Sequence, residues 1–232
     1  MSRRTPQYFT PVQSAAAGLV ASYAFDEASG TIVRDASGNK NDGALRGSPQ
    51  WTTGKTGGAL RFNGTADYVE VPDSPSLQVT DTITVAAWIF REVNKANWER
   101  IMAKSDATLF DYWLQVTSTG SLGGGFTDAA GTLRNALDTT AGTVLPVNQW
   151  VHVAFTYDGT YLRGYVNGQL DKSINLGAFK IRTGARPLWM GRLQNSYILQ
   201  GKIDEGCVYK RALTQEEILW LAGQRTPVAK PF

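Results

Sequence analysis

Residues 23–43 read YAFDEASGTIVRDASGNKNDG, and the reading of this stretch decides what kind of chain this is. A short apolar run delivers Asp26 and Glu27, a turn follows, and a second short run ends in Asp35. After it comes a segment of Asp, Ser, Gly and Asn that holds almost no core-forming side chains. Such residues dominate turns because they tolerate unusual backbone angles and hydrogen-bond their own backbone. They also offer carboxylates, amides and accessible carbonyls, the oxygen supply that a hard cation such as Ca²⁺ collects in shells of roughly six to eight. Composition alone leaves a solvated turn and a cation site both open, and favours the turn.

Working outward, period-2 alternation punctuated by Gly, Asn and Asp recurs along the chain, the pattern of an all-β sandwich. It marks strands at 19–25, 31–35, 59–62, 68–71, 82–92, 99–104, 112–117, 121–127, 134–138, 150–157, 161–166, 169–176, 188–193 and 201–209. Tyr157-Asp158-Gly159-Thr160 and Val166-Asn167-Gly168-Gln169 carry the Asp-Gly and Asn-Gly pairs of two-residue hairpin turns, so 150–176 reads as a three-stranded meander. One helix is marked, with Thr214 as cap, Glu217 as its capping-box partner and Gly223 as the stop. Its apolar residues Ile218, Leu219, Trp220 and Leu221 would hold it to the sandwich. The expected organisation is an N-terminal arm (1–17), one sandwich domain (18–224) and a short tail (225–232).

The bulk numbers exclude several classes. At 232 residues the chain can bury about 70% of its extended surface as one unit and needs no covalent staples. Its single cysteine, Cys207, permits neither an internal disulfide nor a thiolate zinc site, and its apolar setting predicts a small buried hydrophobe. Net charge is only +3, without a basic run beyond Arg3-Arg4, which argues against nucleic-acid binding. No window reaches the roughly 18 apolar residues of a membrane span. The N-terminus lacks the apolar core of a secretory signal.

The order of the motifs resembles the laminin-G-like, concanavalin-A-like jelly-roll domains, in their bacterial and phage branch. Phe25-Asp26-Glu27 and Asp35 to Gly43 come first, then Gly58-Ala-Leu-Arg-Phe-Asn-Gly64 and Asp67-Tyr68-Val69. Thr82 to Trp88, Trp150 to Gly159, Leu162 to Gly168, Met190-Gly191-Arg192 and Gly201 to Thr214 follow in order. Two departures stand on structural strands: Val151-His152 where paired histidines are common, and Gly206-Cys207 after Ile-Asp-Glu. The resemblance implies a two-sheet antiparallel jelly-roll sandwich with one short C-terminal helix.

It also implies a structural Ca²⁺ tying the first strand to the last, held by Asp26, by oxygens near Asn41 and Gly43, and by Asp204, with Asp35 and Asp42 in reserve. Sugar binding is the expectation such domains carry, and it needs aromatic faces with planar polar groups beside them. Alternation sets Trp113 with Asp111 and Gln115 on one face, and Arg163 with Tyr165 on another; Trp98, Trp189, Asn195 and Tyr197 lie in or beside loops. The competing reading for each aromatic is core packing, and for His152 a packed strand residue. Catalysis is not expected: no paired carboxylates suited to glycoside cleavage appear. Asp26-Glu27 and Asp204-Glu205, as sequence neighbours on strands, should face opposite ways. The expected role is a non-catalytic lectin-like module for adhesion or surface display. It would belong to a virion component such as a phage minor tail or decoration protein, with an arm bearing Tyr8, Phe9 and Pro11 docking on a protein partner. The alternatives are a secreted carbohydrate-binding module of a polysaccharide-degrading enzyme, extracellular or at the cell surface, and a purely structural assembly protein.

Overall fold

The computed structural model of the chain describes residues 17–106, 108–193 and 197–224. Two antiparallel sheets face each other. The first runs β14 (Gln169–Asn175), β13 (Tyr161–Val166), β12 (Trp150–Tyr157), β7 (Ile83–Arg91), β16 (Gln200–Tyr209), β5 (Gly58–Asn63) and β4 (Gln50–Thr53), with β1 (Leu19–Tyr23) also paired to β16. The second runs β11 (Leu133–Arg134), β10 (Leu122–Thr127), β9 (Phe110–Val116), β8 (Glu99–Ser105), β15 (Leu188–Met190), β6 (Tyr68–Val71), β3 (Gly43–Arg46) and β2 (Ile32–Val33). This is the expected jelly-roll sandwich.

Alternation explains the packing. On β12, Val151, Val153, Phe155 and Tyr157 point between the sheets, and Ala154 points away. Tyr23, Phe25, Leu60, Phe62, Ile83 and Leu114 join them there, fully buried, and each such side chain contributes about 1.5–3 kcal/mol by leaving water. A second, smaller core lies on the outer side of the first sheet. Ala86 and Ala154, side by side in register, are small enough to admit helix α2 (Gln215–Leu221), which packs Ile218 against them with Tyr165, Cys207 and Tyr209. The helix starts as expected: Thr214 Oγ1 accepts from the Glu217 N–H (3.3 Å) while Glu217 Oε2 accepts from the Thr214 N–H (2.9 Å). Trp88 Nε1 donates to the Leu221 carbonyl (3.2 Å), and the buried His152 ring meets Trp88 edge-on at 5.5 Å. Cys207 is buried, and burial pushes its thiol up to about 12.

Two local expectations are corrected. Residues 134–138 are not one strand: β11 is two residues long, and a single-turn helix α1 (Ala136–Thr139) follows. That helix sends Leu137 into the main core. The Asp158-Gly159 turn spans three residues, 158–160, because Asp158 Oδ1 accepts from both the Thr160 and Tyr161 N–H groups. The Asn167-Gly168 turn has two residues as expected, both at positive φ (49° and 79°). Strands β3 and β4 carried too little alternation in four residues each to stand out.

Candidate ligand-binding face and acidic clasp

Because Tyr112, Leu114 and Val116 of β9 point into the core, Asp111, Trp113 and Gln115 stand on the outer face of the second sheet. Register aligns Gln115 with Arg100 of β8 and Gly123 of β10, and aligns Trp113 with Ala103 and Gly125. Ala103 lies opposite Trp189 of β15, so Trp113 and Trp189 flank an alanine on one face. The floor between the aromatic groups is therefore made of small residues. An irregularity in β8 between Arg100 and Met102 lets Glu99 turn inward to pair with Arg91 (2.7 Å) while Arg100 turns outward.

Arg100 is the centre of this face. Its guanidinium carbon lies 5.6 Å from the Phe110 ring centroid and 5.7 Å from both Trp113 and Tyr197, a box of three rings. Its Nε and Nη1 are buried without a hydrogen-bond partner, as are Gln115 Oε1 and Trp189 Nε1. Burial pushes the Arg100 guanidinium down to about 10, with the Asp138 charge opposing that shift. Asp138, on α1, accepts from Gln115 Nε2 (2.8 Å) and the Gly124 N–H (2.9 Å). Its carboxyl sits over Gly123, where any Cβ would collide with it. Burial raises the Asp138 pKa against those hydrogen bonds. Toward the other end of the face, Asp111 pairs with Arg186 (2.9 Å), which also reaches Asp106 (3.0 Å).

Of the residues expected to bind sugar, Trp113, Gln115, Trp189 and Tyr197 come together here. Trp113 and Gln115 are buried, and Trp189 and Tyr197 are half-buried. Arg163 and Tyr165 belong to the opposite sheet: Arg163 pairs with Asp158 (2.6 Å) beside Tyr161, and Tyr165 is buried in the core beneath α2. Trp98 precedes β8, half-buried. Asn195 lies outside the described residues, as do the arm residues Tyr8, Phe9 and Pro11. The sequence reading missed Arg100, Phe110 and Asp138. Alternation alone would have missed Phe110 as well, because on β9 it shares the parity of the core-facing Tyr112 and reaches the outer face only where the β8–β9 register shifts between Lys104 and Ser105. The second β8 irregularity and the one-turn helix hid the other two.

The expected calcium ligands divide into two places. Asn41 is buried beside β1, donating to the Val20 carbonyl (2.9 Å) and Ser76 Oγ (3.0 Å), with its own carbonyl taking the Tyr23 hydroxyl (2.8 Å). Gly43 pairs with Val33 in the second sheet. Asp35 organises its turn, accepting from the Ser22, Ser37 and Asn41 N–H groups. Asp42 takes the Asp35 N–H (2.9 Å) and Arg34 (2.6 Å), and these hold its pKa low. Residues 35–43 are thus a self-satisfied turn.

Asp26 and Asp204, by contrast, meet across the turn at 54–58. Asp26 Oδ1 accepts from the Gly58 N–H (2.6 Å), and Asp204 Oδ2 accepts from the Lys55 and Thr56 N–H groups (2.8 and 3.0 Å). Asp204 Oδ1 is buried with no partner. Glu205 was expected to face away from Asp204, but β16 bulges there and Glu205 takes φ +49°. Burial, then the charges of Asp204 and Asp26, push its carboxyl up to about 7. Phe25, just before Asp26, is likewise at positive φ (55°), and such strained backbone concentrates at functional positions. Among the described residues no group of three His, Cys, Asp or Glu side chains converges to hold a metal ion. The unsatisfied Asp204 oxygen and its acidic neighbours suit a hard cation that takes further oxygens from backbone; Asn41 and Gly43 are held instead by the 35–43 turn and by β2.

The fold and the outer face define a sandwich of the lectin type. A laminin-G model, described as the concanavalin A-like lectin/glucanases superfamily, matches residues 63–219, and the chain belongs to that superfamily. No curated protein sequence matches the chain. Among solved structures it is similar to the binding domain of Paraclostridial Mosquitocidal Protein 1 (18% identity, TM-score 0.72, covering 90% of this chain and 52% of that one). It is also similar to domain 4 of AbnA, a GH43 extracellular arabinanase from Geobacillus stearothermophilus, in complex with arabinotriose (24%, 0.69, 88% and 98%). The receptor binding domain of botulinum neurotoxin C/D mosaic serotype is a third (17%, 0.70, 90% and 51%). The chain spans about half the length of the toxin binding domains and nearly all of the arabinanase domain.

Proposed function

We propose that the protein is a non-catalytic glycan-binding module that uses the outer face of its second sheet. The observation that carries this is the set of unsatisfied polar atoms beside aromatic rings: Arg100 Nε and Nη1, Gln115 Oε1 and Trp189 Nε1. A sugar hydroxyl both donates and accepts, so it can donate to Gln115 Oε1 while accepting from Arg100 or Trp189 Nε1. An aromatic ring nearby covers the apolar face of the pyranose. Leaving such groups unpaired costs about 1–3 kcal/mol each, which a ligand restores. The two carboxylates on this face are each held through one oxygen, Asp111 by Arg186 and Asp138 by Gln115, which argues against an acid and base pair for hydrolysis. The arabinotriose bound to the arabinanase domain supports the same reading. Attached to a virion surface or to a secreted polysaccharide-degrading enzyme, this binding would serve adhesion. A glycan array with the folded full chain tests it, with Trp189→Ala expected to weaken any hit at least tenfold. Folded protein that binds no glycan would overturn it.

A structural Ca²⁺ at the Asp26–Asp204 clasp is the second part of the proposal, supported by the unpartnered Asp204 Oδ1. A dication there would offset the mutual repulsion of Asp26 and Asp204 and add its binding free energy to folding.

A further inference from the structure

The described chain buries four cations: Arg91, Arg100, Lys104 and Lys172. Three of them are matched. Arg91 has Glu99 and the Leu145 carbonyl (2.7 and 2.9 Å), and Lys172 has the carbonyls of Leu122 and Leu137 (2.7 and 2.8 Å). Lys104 has Asp73 and the carbonyls of Gly184 and Arg186. Arg100 alone is held by ring faces, with two nitrogens unpartnered and no carboxylate within ion-pair reach. Ring faces attract a guanidinium but accept no hydrogen bond in its plane. An arginine fork matches a planar or tetrahedral oxyanion, and desolvated pairs of this kind are stronger than neutral hydrogen bonds. Asp138, the nearest acid in charge terms, is already occupied by Gln115 and the Gly124 N–H.

Resting on the glycan reading above, we infer that Arg100, boxed by Phe110, Trp113 and Tyr197, receives the carboxylate or sulfate of an acidic sugar. The rings flanking the guanidinium shield the ion pair from water, and Gln115 Oε1 beside it takes a hydroxyl of the same residue. Selectivity for charge then comes from a single buried donor pair rather than from a basic surface. That agrees with the thin net charge of the whole chain, +3.

The test is calorimetry on the full chain with matched pairs of sugars. Trigalacturonate is compared with its methyl ester, sialyllactose with lactose, and galactose 6-sulfate with galactose. At least one acidic member should bind tenfold or more tightly than its neutral partner, and which pair responds separates carboxylate from sulfate. Arg100→Met should abolish that preference, while Lys210→Gln, the same charge change on the exposed surface, should keep it. If Arg100→Met does not fold, the ester and desulfated arms on the unmodified protein decide alone. Equal binding of acidic and neutral members overturns the inference but leaves the glycan reading standing. Absence of binding to every sugar, including the array hits, overturns both.

Discussion

His152 gives the sharpest test of the packing, because it is the one histidine in the sequence. Its ring is 2% exposed against Trp88, with Nδ1 unpartnered, and burial holds its pKa down at about 3 against an ordinary 6.5. In the unfolded chain it titrates normally. Below pH 6.5 the unfolded state therefore binds a proton that the native state refuses, and stability falls as pH falls from 6.5 towards 3. At pH 5.0 the difference is about 1.5 pH units at 1.36 kcal/mol each, or about 2 kcal/mol. For a chain of this size that is a Tm decrease of about 4–8 °C. His152→Phe keeps an aromatic edge for Trp88 and removes the titration. Calorimetric melts from pH 7.5 to 5.0 should therefore show the variant losing about 4–8 °C less than the parent. Carboxylates shared by both proteins cancel in the comparison. Parallel curves would mean that the ring is hydrated or protonated in the folded state, and the packing under α2 would be wrong.

Melts with and without EDTA read the clasp directly: adding Ca²⁺ at 100 times its Kd should add about 2.7 kcal/mol, and an unchanged midpoint would count against the ion. Thr214→Ala removes half of the capping box and should cost about 1 kcal/mol, read as a Tm drop of about 2–4 °C together with a change in Trp88 fluorescence. Glu99→Ala strands the buried Arg91 charge, and a loss of about 3–5 kcal/mol in urea unfolding is expected.

Much of the sandwich was visible in the chain because β-strands declare themselves by side-chain alternation. Trp150 to Tyr157 shows it most clearly, and the Thr214–Glu217 capping box and the Asn167-Gly168 turn were legible for equally local reasons. What escaped depends on irregularities. Arg100 reaches the outer face only because β8 slips register after it, and Glu205 joins Asp204 only because β16 bulges. Where Asn41 and Gly43 sit was hidden for a related reason. Proximity in sequence to an acidic pair said nothing about which strand their turn would fold against, and Asp35 already answers the donors there. Arg163 and Tyr165 do share a face, as alternation required, but alternation cannot say which sheet that face belongs to or that a helix will cover part of it.

The pairing of β1 with β16 also governs how the chain is made. Leu19 lies opposite Tyr209, and β16 is the strand that joins β7 to β5 in the middle of the first sheet. A ribosome delivers residues at about 5–20 per second, so β1, β4 and β5 wait many seconds for the strand that unites them with β7. Until residue 209 emerges, the first sheet exists as two halves with open edges. The nascent chain therefore depends on its early strands staying soluble, and its folding rate should track the exit of its last strand rather than the formation of its first.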